Sequence, residues 1–88
     1  MDMQKLRRQI DDIDDDLVRL FQQRMDVSAE IARYKSRHNL PIYDPAREQH
    51  KLHDLVYKGK EGYRAYITAL YTLIFELSRD EQERMMRS

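Results

Sequence analysis

The 88-residue chain is long enough for one domain, spanning residues 1–88, and too short for two. Sixteen basic and sixteen acidic residues cancel, so no net positive field draws it to nucleic acid or to a membrane surface. With no cysteine, two glycines and two prolines, the composition excludes a disulfide framework and thiolate chemistry and favours a helix-rich, loop-poor fold. No apolar run approaches a membrane span and no signal-peptide core is present, so the expectation is a soluble cytoplasmic protein.

The first predicted helix covers residues 2–38. It holds no glycine or proline, and Asp2 stands at its start as a cap. Leu6, Ile10, Ile13, Leu17, Leu20, Val27, Ile31 and Tyr34 recur at spacings of four and three, the seam of one amphipathic helix. Its length of ~50 Å exceeds the ~30 Å width of a small domain, so its apolar seam needs more cover than one chain provides. The seam is broken once, by Arg24, where the pattern calls for an apolar residue. The acidic cluster at Asp11, Asp12, Asp14, Asp15 and Asp16 reads as a solvated face in the half of the helix where the dipole favours acids, with Asp15 placed to pair with Arg19.

A loop from His38 to Tyr43 follows. Asp44 and Pro45 then read as a cap and a first-turn proline, opening a second helix over 45–58. Its stripe is Leu52, Leu55 and Val56, continued one turn earlier by Glu48. His50 and His53 are spaced for a metal but stand on a charged helix and read as surface, so no metal site is expected. The turn containing Gly59 and Gly62 ends this helix. The third helix covers 63–85, with a stripe of Ile67, Leu70, Tyr71, Ile74 and Leu77 that turns polar at Ser78 and Gln82.

Five residues are thus polar where the helical pattern wants apolar ones: Arg24, Lys35, Glu48, Ser78 and Gln82. Arg24 and Lys35 are about three turns apart on nearly one face, ~16 Å along the axis, with Ser28 between them. Each alone reads as a snorkelling side chain. Together they describe a polar pocket with the charge balance of a small dianion bearing a hydroxyl. The chain offers no spacing for a Ser-His-Asp set and no glycine-rich phosphate loop. The pocket would therefore work by positioning and electrostatics.

The sequence resembles the all-helical chorismate mutases over nearly its whole length. The resemblance rests on Leu6-Arg7-Arg8-Gln9-Ile10-Asp11-Asp12-Ile13-Asp14, Arg24-Met25, Glu30-Ile31-Ala32-Arg33-Tyr34-Lys35, Pro41-Ile42-Tyr43-Asp44-Pro45-Ala46-Arg47-Glu48, Ser78 and Gln82. It implies an all-α fold of three helices per chain in an intertwined homodimer. It also implies conversion of chorismate to prephenate without a cofactor, by a free-standing enzyme or by the mutase module of a bifunctional shikimate-pathway enzyme. It assigns Arg24 to one substrate carboxylate, Arg7 of the other chain to the second, and Ser78 to a carboxylate contact. Lys35 and Gln82 would donate to the ether oxygen. Glu48 would accept from the ring hydroxyl, helped by backbone near Asp44, with Arg47 supporting that end. Other members carry a glutamate where Gln82 stands. The same architecture also serves isochorismate-pyruvate lyases, and a non-catalytic helical dimerisation module would share the seam of the first helix. Such a module leaves Arg24, Lys35, Glu48 and Gln82 unexplained.

Overall fold

The computed structural model describes residues 2–87, and these form three helices and no strand. Helix α1 runs Met3–Arg37, α2 Pro45–Lys58 and α3 Arg64–Arg87, the last entered through a single 3₁₀ turn at Glu61–Tyr63. The expected helices are all present. The third continues through Arg87, two residues past its expected end, and Ser88 lies outside the described residues.

The starts follow the expected chemistry. The Asp2 carboxylate accepts from the Gln4 amide at 3.0 Å. The Asp44 carboxylate accepts from the Arg47 amide at 3.1 Å, with Pro45 in the first turn of α2. On the outer face of α1, Arg19 pairs with Asp16 at 3.6 Å rather than with Asp15, one turn being closed at i, i+3 instead of i, i+4.

The helix ends differ more. Asn39 adopts the left-handed conformation with φ of 55°. The Leu40 amide then donates to the Lys35 carbonyl at 2.8 Å and the Asn39 amide to Ser36 at 3.4 Å. These two bonds are a Schellman closure with asparagine in the position glycine usually fills. Gly59, by contrast, ends α2 in extended backbone with φ of −85°. Its lack of a side chain serves packing, since a Cβ there would overlap the Ile67 side chain.

α3 packs along α1 and also carries α2, so the chain is a flat, elongated slab of 55 × 28 × 14 Å. Its radius of gyration is 16.2 Å, against ~12 Å for a compact chain of this length. Among the described residues only Ala29, Ala32 and Phe75 are buried apolar side chains. The seam of α1 is open to solvent within one chain, with Ile10, Ile13 and Leu17 each more than half exposed. On α3, Ile67, Tyr71 and Ile74 are half-buried as the stripe requires, but Leu70 and Leu77 lie on the exposed side. No helix of the described residues is long and apolar enough to cross a membrane.

Candidate active site

A cavity of about 370 Å³ opens where α1, α2, α3 and the 38–44 loop meet. That is within the range that holds a small molecule. Arg24, Lys35, Asp44, Arg47, Glu48, Ser78 and Gln82 all line it, as does Ser28. The structure thus gathers every candidate residue except Arg7. Arg7 sits near the start of α1 in a separate shallow depression with Met3, Leu6, Ile10 and Asp11.

Helical geometry supplies the floor. Arg24, Ser28 and Lys35 fall on one face of α1, and Ser78 and Gln82 are one turn apart on α3, facing it. The Arg24 Nη1 donates to Ser78 Oγ at 2.7 Å, and its guanidinium lies 5.6 Å from the centroid of the Phe75 ring. Two rigid helices thereby fix the direction of a long, otherwise flexible cation. Gln82 is buried and its Nε2 donates to the Ser28 carbonyl at 3.2 Å. That bond orients the amide and leaves its second N–H free to be offered elsewhere.

The loop end is held just as tightly. The Lys35 Nζ donates to the Ile42 carbonyl at 2.8 Å, while the carbonyl of the same residue accepts from Leu40. Lys35 therefore fastens the loop at both its backbone and its ammonium, which keeps two further N–H donors. Asp44 lines the cavity with its carboxylate committed to the cap of α2.

Glu48 has a partner the sequence reading did not provide. The Arg79 Nη1 contacts both of its carboxylate oxygens, at 2.5 and 2.6 Å, and the Arg79 guanidinium lies 4.8 Å from the centroid of the Tyr43 ring. This hydrogen bond to Glu48 raises the Arg79 pKa above its ordinary value, so the guanidinium is charged throughout the working range. Lys51 and Phe75 also line the cavity and were likewise missed. Phase gave a signal for Phe75, which lies three residues before Ser78 and seven before Gln82 on one face of α3. Nothing local gave one for Arg79, whose direction is set by a carboxylate on another helix.

The electrostatic balance is one-sided. Five cations, Arg24, Lys35, Arg47, Lys51 and Arg79, line the cavity against two carboxylates. One carboxylate caps a helix and the other is clasped by Arg79. Among the described residues, Arg24, Lys35, Arg47 and Lys51 have no carboxylate within ion-pair distance. A neutral chain has thus concentrated positive charge around one small hollow, which suits a compact polyanion. His50 and His53 are outside it, flanking Asp54 on the open face of α2 with Nδ1 atoms 3.7 and 3.9 Å from its carboxylate.

A cation-rich hollow walled by oriented donors, set among packed helices, is an arrangement suited to a small anion. Comparison makes this specific. The chain belongs to the chorismate mutase type II family, whose model matches residues 6–83. It is 36% identical over 62 residues to a bifunctional chorismate mutase/prephenate dehydratase of Aquifex aeolicus (strain VF5), covering 70% of this chain and 17% of that protein. It is 34% identical over 87 residues to the protein of the same description from Buchnera aphidicola subsp. Schizaphis graminum, covering 97% of this chain and 23% of the relative. It is 41% identical over 46 residues to a 4-amino-4-deoxychorismate mutase of Streptomyces venezuelae, covering 52% of this chain and 45% of the relative. The matched region is therefore less than half of each of these relatives' own lengths. No solved structure matches the chain at comparable significance.

Proposed function

We propose that the chain is a chorismate mutase, converting chorismate to prephenate by Claisen rearrangement, and that it works as a homodimer with shared sites. The observation that carries this reading is the convergence of Arg24, Lys35, Ser78 and Gln82 on one cavity that also holds Glu48. Family membership supports it.

The chemistry follows from the donors. The reaction breaks the ether C–O bond and forms a C–C bond between the enolpyruvyl arm and the ring, with no covalent help from the protein. Arg24, fixed by Ser78, binds one carboxylate, and Arg7 of the partner subunit binds the other. Two clamped ends hold the arm over the ring in the geometry from which the bond forms. As the ether bond stretches, negative charge grows on its oxygen. The free N–H groups of Lys35 and Gln82 meet that charge, so they stabilise the transition state more than the bound substrate. Glu48 accepts from the ring hydroxyl, with Arg47 and the backbone near Asp44 at the same end. The Streptomyces relative's name specifies an amino group in place of that hydroxyl; the reading for this chain is the hydroxyl form. A cytoplasmic location goes with the reading, since a cysteine-free chain suits a reducing compartment.

Incubation with chorismate and, separately, with isochorismate, followed by product identification, tests the reaction. Prephenate from chorismate is expected. Pyruvate released from isochorismate, with chorismate untouched, would identify a lyase instead, and inertness toward both would leave a helical dimeriser.

Dimerisation is supported by the open seam of α1. Each large apolar side chain taken from water contributes roughly 1.5–3 kcal/mol, and a lone chain leaves most of that unrealised. Sedimentation at micromolar concentration is expected to show only dimer, with helicity lost as dilution drives dissociation. A stable, folded monomer would contradict this.

Gln82→Glu is expected to make turnover acid-favouring. The new carboxyl would stand buried against the Ser28 carbonyl, where only its protonated form can donate. Protonated, it donates as the amide does; ionised, it repels the ether oxygen. Activity should fall by about tenfold per pH unit above the pKa of that carboxyl. A variant whose pH–rate profile matches wild type from weakly acid to neutral would place Gln82 away from the ether oxygen.

A further inference from the structure

We propose that Arg79 is a specificity-determining residue: by clasping Glu48 it makes that end of the cavity select a neutral hydroxyl donor over an ammonium at the same ring position. The inference rests on the proposed placement of the substrate ring hydroxyl at Glu48 and goes beyond it by naming what sets the preference.

The geometry assigns Arg79 to no other task. Its Nη1 bridges both oxygens of Glu48, and its guanidinium plane is supported 4.8 Å from the centroid of the Tyr43 ring. Three elements are thereby tied together: α3 through Arg79, α2 through Glu48 and the 38–44 loop through Tyr43. The side chains are only 29% and 25% exposed, so water screens the pair less than it would on an open surface. Glu48 is the one cavity carboxylate not committed to a helix cap.

The charge consequences are different for the two kinds of ligand. A carboxylate offers about four lone-pair sites, and Arg79 occupies only part of them. A hydroxyl can donate to the remainder, and a neutral group has no quarrel with the guanidinium behind. An ammonium at that place meets an ion pair whose charge is already balanced, with a fixed cation a short distance beyond and further cations around the cavity. Bare Glu48 would reverse the preference, since a lone carboxylate attracts an ammonium more strongly than a hydroxyl. Discrimination is a difference of affinities, and here the repulsive element is Arg79.

The test compares kcat/KM for chorismate and for 4-amino-4-deoxychorismate on the full chain. Wild type, Arg79→Gln, Arg79→Lys and Glu48→Ala are measured, with helicity and sedimentation recorded for each. Wild type should prefer chorismate. Arg79→Gln should shift the ratio toward the amino substrate by about tenfold or more, whereas Arg79→Lys, which keeps the charge, should hold it within about threefold of wild type. A merely structural tether would lower both substrates together and leave the ratio alone. If Arg79→Gln does not fold, Arg79→Met keeps the aliphatic stem against Tyr43 and carries the same expectation. An unmoved ratio in the neutral variants, or an equal shift in Arg79→Lys, overturns the proposal. Glu48→Ala separates the two levels. If it loses chorismate turnover while the Arg79 variants keep the wild-type ratio, Arg79 is not the selector and the placement of the hydroxyl stands. If Glu48→Ala, which removes the acceptor, turns over chorismate like wild type, the hydroxyl is not at Glu48 and the placement itself fails.

Discussion

Replacing Arg24 with alanine is expected to lower kcat/KM for chorismate by about 10²–10⁴-fold, the range for losing one partner of a charge-assisted contact worth roughly 3–5 kcal/mol. The fold should survive. The Ser78 hydroxyl loses its 2.7 Å donor and the Phe75 ring loses a cation at 5.6 Å, each a cost of about 1 kcal/mol. Against these stand relief from desolvating a guanidinium and the higher helix propensity of alanine. Circular dichroism and sedimentation should match wild type while chorismate consumption nearly stops. Near-normal activity would make Arg24 a structural residue and misplace the carboxylate.

Arg7→Ala is expected to lose turnover by about 10²-fold or more, although Arg7 touches nothing in its own chain's cavity. The expectation is unusual for a residue so placed. Arg7 is exposed in the first turns of α1 and ~25 Å along the helix from Arg24, and substitutions at such positions ordinarily change stability by less than about 0.5 kcal/mol. Catalytic loss without stability loss would mean that the side chain completes a site elsewhere. An antiparallel partner helix is the arrangement that brings it there. An Arg7→Ala homodimer with full activity would remove this residue from the mechanism.

The helices and most of the cavity were legible in the sequence because a helix converts spacing into direction. Arg24, Ser28 and Lys35 share a face of α1, and Ser78 and Gln82 share one of α3, whatever lies around them. Asp2, Asp44 and Pro45 likewise announce helix starts through local hydrogen bonding. What spacing does not encode is whose atoms meet that face. Leu70 and Leu77 belong to the apolar pattern of α3, yet both are exposed in the single chain. Arg79 looks like any surface arginine one step beyond Ser78, and only the approach of α2 and Tyr43 turns it toward the cavity. The left-handed turn at Asn39 was equally hidden, since it became visible only with the bond from Leu40 to Lys35. Charge behaved in the same way. The equal totals of acids and bases say nothing of a cavity where five cations face two committed carboxylates.

Arg7 of one chain is expected to complete the cavity of its mate, and the completed cavity to rearrange chorismate. Co-refolding Arg7→Ala chains with Arg24→Ala chains tests it most directly, with heterodimer content verified by mass and chorismate loss followed by absorbance. Each homodimer alone should be inactive. In a heterodimer sharing its sites, one site inherits both defects and the other inherits none, so activity should reappear from one intact site per heterodimer. A verified heterodimer that remains inactive would contradict the shared site.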